Sequence, residues 1–149
     1  FHLLDQQGVF RDLHVMLQRE VVERMTAAPD TPEYGRLTVA LAARCHVKSL
    51  FIVKPGAFTP PPKVDSAVAR LVPDAALATR IADPAAFDRL LTRAFSMRRK
   101  RLANAIKGLL DEPAIAACGV DPGARPGTVP PDAYIRLANT YAARATSAA

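Results

Sequence analysis

Phe58-Thr59-Pro60-Pro61-Pro62-Lys63-Val64-Asp65-Ser66 carries the strongest chemical signature in this chain. Three consecutive prolines fix φ near the polyproline II value and remove three backbone donors, so the segment is a stiff extended strut, neither helix nor central strand. A strut of this kind holds the Phe58 ring at a fixed place, and read from the residues alone it is a rigid connector whose phenylalanine plugs the core. A second concentration of chemistry lies in the basic residues Arg89, Arg93, Arg98, Arg99, Lys100, Arg101 and Lys107. Residues 80–107 hold eight basic and two acidic side chains, against nine and eight in 1–79 and three and four in 108–149, so this block alone matches the net charge of +6. The competing reading is a solvated basic face with no partner. With only Asp83 and Asp88 to offset eight cations, phosphate binding is favoured, and nucleic acid over membrane because no continuous apolar face accompanies the charge.

Other reactive residue types carry less. Glu20 and Glu23 invite an acid–base reading, but Glu20 and Arg24 stand at the i,i+4 spacing of a helix-surface pair, and both acids are assigned structure. His2, His14 and His46 do not fall at metal-ligand spacing, and Cys45 and Cys118 form no paired motif. A zinc site or disulfide framework has little support; both thiols are expected reduced and packed. No apolar run approaches the about 20 residues that cross a bilayer, and no signal-peptide pattern opens the chain, so the expected place is the cytoplasm.

These groups must be positioned by a scaffold of 149 residues, 50% apolar and 23% charged, enough for one or two small domains with a real core. Leu13 to Gln18 reads as a buried strand and Arg19 to Ala28 as a helix with Val21, Val22 and Met25 inward, broken by Pro29 to Pro32. A second helix is predicted from about Tyr34 to Arg44, then a strand over Ser49 to Val53, the strut, and a strand over Val64 to Val72. That order is the last part of an open α/β sheet whose final pair is antiparallel, the first half of the sheet being expected before Phe1. After Pro73 the β signal stops. Asp83 is a helix cap with Pro84 at the first helical position, followed by an apolar stripe at Phe87, Leu91, Ala94, Leu102 and Leu109. On a wheel of about 100° per residue, Arg89, Arg93, Lys100 and Lys107 fall within about 40° of one another, opposite that stripe. Arg98 falls on the apolar side, so either the helix breaks near Met97 or Arg98 serves a domain or RNA interface. Helices around Pro113 to Ala117 and Pro131 to Arg144 complete a small bundle, and the expected division is 1–73 and 74–149.

Four stretches, in order and spacing, resemble the small-subunit ribosomal RNA adenine dimethyltransferase family. They are Met16-Leu17-Gln18-Arg19-Glu20-Val21-Val22-Glu23-Arg24-Met25, Tyr34-Gly35-Arg36-Leu37-Thr38-Val39, the Phe58 to Ser66 strut, and Ala94-Phe95-Ser96-Met97-Arg98-Arg99-Lys100. The resemblance implies a Rossmann-like methyltransferase sheet followed by a small all-α domain that contacts RNA. It implies S-adenosylmethionine as donor, the small ribosomal subunit and its rRNA as partners, no metal, a monomer, and dimethylation of two adjacent adenosines during ribosome biogenesis. Phe58 then helps hold the target adenine. The family's glycine-rich donor loop and Asn-Leu-Pro-Tyr tetrapeptide do not occur here, and the tetrapeptide is expected just before Phe1. The chain is therefore expected to be the C-terminal half of the enzyme, with no catalytic or donor-binding residue of its own and inactive alone. Two other readings are a non-catalytic RNA-binding or ribosome-assembly module and a large-subunit rRNA adenine methyltransferase.

Overall fold

The computed structural model describes residues 2–5 and 9–147; Phe1, residues 6–8, the last two alanines and the side chains of His2 and Asp5 lie outside the described residues. A short helix α1 (His2–Asp5) precedes β1 (Leu13–Gln18), α2 (Arg19–Met25), α3 (Arg36–Ala42), β2 (Cys45–Val53) and β3 (Ser66–Pro73). Helices α4 (Ala75–Ala78), α5 (Pro84–Ser96), α6 (Leu102–Ala105), α7 (Glu112–Ala117) and α8 (Pro131–Ser147) follow.

The three strands form one sheet in the order β1-β3-β2. The middle strand β3 runs antiparallel to both neighbours, with Met16 opposite Val68 on one side and Phe51 opposite Val68 on the other. Strands β1 and β2 therefore point the same way and end at the same edge, at Gln18 and Val53. Burial alternates along β3, where Ala67, Ala69 and Leu71 face a core completed by Leu4, Val22, Met25, Leu41 and Cys45. The expected antiparallel final pair is present, and the predicted strand Leu13–Gln18 holds in its bounds but not in its burial: none of its six residues is buried, and Met16 and Leu17 are exposed because β1 lies at the rim of the sheet with β3 on one side only.

Other boundaries move for local reasons. The second strand starts at Cys45, not Ser49, because Cys45 to Lys48 pair with Arg70 to Pro73 of β3. The third starts at Ser66, not Val64, because Asp65 is drawn into side-chain bonds described below. Helix α2 stops at Met25, where the Thr26 N–H and hydroxyl both donate to the Val22 carbonyl. Helix α3 starts at Arg36; Thr38, the one buried polar residue among those described, accepts from the Gly35 N–H at 3.1 Å and donates to the Arg24 carbonyl at 2.6 Å.

A second, larger core joins Phe87, Leu90 and Leu91 of α5 with Leu102, Ile106, Ile115, Tyr134 and Leu137. Tyr34, Val39, Ala40 and Ala43 belong to it too, so α3 faces the sheet core through Leu41 and the helical core through its other side. Asp83 caps α5 as expected, its carboxylate accepting from the Ala85 and Ala86 N–H groups, and Pro84 takes the first turn.

Candidate functional site

The strut spans residues 54–65, between Val53 of β2 and Ser66 of β3, which face each other across the ladder. It leaves the sheet at the edge where β1 and β2 end, the side on which open α/β sheets bind ligands. A 3-10 turn at Pro55–Ala57 opens it, the Thr59–Pro60 peptide is cis, and Phe58 has extended backbone, its N–H donating to the Pro55 carbonyl at 3.1 Å. The chain bends at Phe58–Pro60 and again at Lys63–Val64, so the expected extended strut is instead a loop folded back between two paired strands. Phe58 is partly buried and belongs to neither of the two hydrophobic clusters among the described residues.

The base of the loop is tied. Lys54 Nζ donates to Asp65 Oδ2 at 2.7 Å, Arg19 Nη1 lies 3.6 Å from the same oxygen, and the Arg19 N–H donates to the Asp65 carbonyl at 2.9 Å. The Lys54 hydrogen bond first, then the two cations' charges and the Arg19 bond, hold the Asp65 carboxyl below the usual carboxylate range. Beside it a cleft of about 340 Å³ is lined by Gln18, Arg19, Glu20, Glu23, Val64 and Asp65. Its acids are occupied, Glu20 by Arg24 and Glu23 by Arg19 at 2.7 Å, the helix pairs that the i,i+4 spacing predicts. Arg19, Lys54 and Asp65 as a tie were not legible, because Lys54 and Asp65 are 11 residues apart and meet only through the hairpin.

The basic residues separate into three settings. Helix α5 stops at Ser96, with Met97 at φ −120° and ψ 39°, and Arg101 has non-helical backbone before α6, so the continuous ridge through Lys100 and Lys107 is not formed. Arg89 and Arg93 do share the exposed face of α5, and Arg89 Nη1 donates to the Tyr141 hydroxyl at 3.1 Å. Arg99, Lys100 and Lys107 are exposed on the turns that follow; Arg101 lies 3.8 Å from Glu112.

Arg98 turns inward. Its Nη1 and Nη2 donate to the carbonyls of Pro32 and Thr31, each at 2.7 Å, across the junction between the sheet and the helices. Three further contacts close the same junction. The Asp30 N–H donates to the Gly127 carbonyl at 2.8 Å, and the Tyr34 hydroxyl to the Val129 carbonyl at 2.7 Å. Phe95 packs between Tyr34, edge to face at a centroid distance of 6.2 Å, and Tyr134, tilted at 5.4 Å. Arg98 thus makes contacts within the chain across this junction, and the helix break near Met97 is present as well. Around it, Asp30, Arg99, Arg125 and Thr128 help line a cleft of about 250 Å³. Arg125, isolated in a loop sequence with no basic neighbour, offered no signal before folding.

Among the described residues no group of three or more histidines, cysteines, aspartates or glutamates could hold a metal ion, and no helix is long and apolar enough to cross a membrane. Both cysteines are free and buried; burial pushes the Cys45 thiol up to about 11, which leaves it inert at neutral pH.

The family model described as ribosomal RNA adenine dimethylase matches residues 1–143. The chain belongs to this family. It is 50% identical over 142 residues to the ribosomal RNA small subunit methyltransferase A of Pseudomonas putida, covering 95% of this chain and 53% of that protein. Against the protein of the same name from Nitrosococcus oceani it is 51% identical over 138 residues, covering 92% and 52%. The chain thus spans about half the length of the curated relatives it matches. Among solved structures, a dimethyladenosine transferase from Plasmodium falciparum superposes with a TM-score of 0.76 at 25% identity, over 92% of this chain and 59% of that one. The 23S rRNA methyltransferase ErmE superposes with a TM-score of 0.61 at 22% identity, over 92% of this chain and 57% of that one, a likeness of fold alone. The α/β scaffold of this dimethylase-family chain is the one those enzymes share.

Proposed function

We propose that the protein carrying this chain methylates the exocyclic amines of two adjacent adenosines in small-subunit ribosomal RNA, taking the methyl groups from S-adenosylmethionine. The observation that carries this reading is the placing of Phe58: an aromatic side chain outside both cores, on a tied proline-rich loop at the ligand-binding edge of the sheet. The amine of adenine is a poor nucleophile because its lone pair is delocalised into the ring, so the base must be unstacked from the RNA and its lone pair oriented. Phe58 supplies one wall for the unstacked base, where stacking contributes about 1–3 kcal/mol per base. The exposed cations Arg89, Arg93, Arg99, Lys100, Arg101, Lys107 and Arg125 bring the phosphate backbone to the helical half, while Arg98 holds that half against the sheet.

The donor, when bound, supplies an electrophilic methyl group. The residues here do not fit it: the acids of the carboxyl-edge cleft already face Arg19, Arg24 and Lys54, leaving no unpaired carboxylate among the residues that line it for a ribose. No residue of this chain is assigned to the donor, and the 149 residues alone are expected to be inactive. Small-subunit assembly sets the expected place in the cytoplasm.

The test is the full-length protein with labelled donor and, separately, small and large ribosomal subunits, followed by nucleoside analysis. Dimethyladenosine formed in small-subunit rRNA only is the expected result. Label in the large subunit instead points to the other rRNA methyltransferase class; binding to small subunits with no label transferred, under conditions where the donor binds, leaves an assembly module.

A further inference from the structure

We infer that Asp65 is a positioning residue for the base wall: by gathering Lys54 and Arg19 it closes the neck of the Phe58 loop and sets where the aromatic ring stands. This rests on the reading of Phe58 as a wall for the base.

The prolines stiffen the middle of the loop but cannot set its angle to the sheet. That angle is decided where the chain leaves β2 and enters β3, beyond the last ladder pair Val53–Ser66. The backbone hydrogen bonds before the prolines are local, Ala57 N–H to Lys54 carbonyl and Phe58 N–H to Pro55 carbonyl, and neither reaches the sheet. The connection that does reach it runs through Asp65, held by its main-chain carbonyl and by its carboxylate to Arg19, the first residue of α2, and by the same oxygen to Lys54 at the other end of the loop. Arg19 is itself fixed by Glu23, so the anchor point is a helix and not a free side chain. The carboxylate is the sheltered member, with 21% of its side chain exposed against 73% for Lys54 and 48% for Arg19. Ion pairs this open to water add little to global stability, so an effect on loop placement is separable from an effect on folding. A displaced reactant is costly out of proportion to its stability: a misplacement of about 1 Å can lower a rate by about 100-fold.

The experiment uses the full-length protein, small ribosomal subunits and labelled donor, with Asp65→Asn, Phe58→Ala, Lys54→Met and the double variant Phe58→Ala/Asp65→Asn. Asp65→Asn should lower kcat/KM for the RNA by on the order of tenfold, with donor affinity kept. Lys54→Met, at an exposed position, should reproduce part of that loss without change in Tm. The double variant should be no worse than Phe58→Ala, since a clamp has nothing to position once the ring is gone. Losses that multiply in the double variant overturn the clamp, and so does full activity in Asp65→Asn or in Lys54→Met. If Asp65→Asn fails to fold, Lys54→Met alone and combined with Phe58→Ala decides the same question. Full activity in Phe58→Ala removes the base wall itself, an outcome distinct from failure of the clamp.

Discussion

Replacing Arg98 by methionine separates two uses of one guanidinium. The substitution keeps the aliphatic stem and deletes the two donors that reach the Thr31 and Pro32 carbonyls at 2.7 Å. Hydrogen bonds to a charged group contribute about 1.5–3 kcal/mol each where the partners are left dry. Here Arg98 is partly buried and water can reach the freed carbonyls, so the pair together is worth about 2 kcal/mol. For a chain of this length about 2 kcal/mol corresponds to roughly 4–8 °C in Tm. Thermal unfolding should show that loss in Arg98→Met, and denaturant unfolding a lower midpoint at unchanged slope. Binding to small-subunit RNA at several salt concentrations should keep its salt dependence, because the guanidinium is engaged by the Thr31 and Pro32 carbonyls. An unchanged Tm with a flattening of the salt slope by about 0.7–0.9 would show that Arg98 contacts RNA and that the junction stands without it.

The cations that do face solvent predict the opposite pattern. Glutamine at Arg89, Arg93, Lys100 and Lys107 should leave Tm nearly unchanged and flatten the slope of log affinity against log salt by up to about 3, roughly 0.7–0.9 for each phosphate no longer neutralised. Because α5 ends at Ser96, the Arg89/Arg93 pair and the Lys100/Lys107 pair lie on different elements and should be separable; a slope unmoved by either pair shifts the footprint to Arg99, Arg101 and Arg125. At the cap of α7, the Ala114 N–H first and then Arg144 hold the Asp111 carboxyl below its ordinary range. Its folded value being lower than its unfolded one, its contribution is full above the ordinary carboxylate range and is lost as pH falls through the folded value. Asp111→Asn, which caps without titrating, should therefore lower Tm at neutral pH while making Tm less steep in acid; parallel Tm-against-pH curves would refute this.

What could be read from the chain before folding follows the range of the interactions. Leu13–Gln18 was legible because its apolar run ends where a helix pattern begins, and the α5 start because Asp83 and Pro84 act on their own neighbours. Cys45 to Lys48 were not read as strand, since their pairing energy comes from β3, more than twenty residues on. Arg98 was legible as a conflict, a charge on an apolar stripe, but its partners lie 66 and 67 residues away. The supposed ridge through Lys100 and Lys107 failed where a wheel must fail, at a helix end that it does not register. Phe58 was legible as an aromatic ring on a proline-rich segment; that it stands outside both cores needed the cores themselves.

The measurement that bears most directly on the account is methylation of small ribosomal subunits by full-length protein carrying Phe58, Phe58→Tyr, Phe58→Leu or Phe58→Ala, with donor affinity and Tm measured alongside. A ring that stacks on the base predicts that Phe58→Tyr keeps most of the activity. Phe58→Leu, apolar but not flat, and Phe58→Ala should both lose it, at unchanged Tm and donor affinity, by about 5- to 150-fold for about 1–3 kcal/mol of stacking. Leucine as active as phenylalanine, or losses that follow a fall in Tm, would contradict a base wall at Phe58 and make the ring a packing residue.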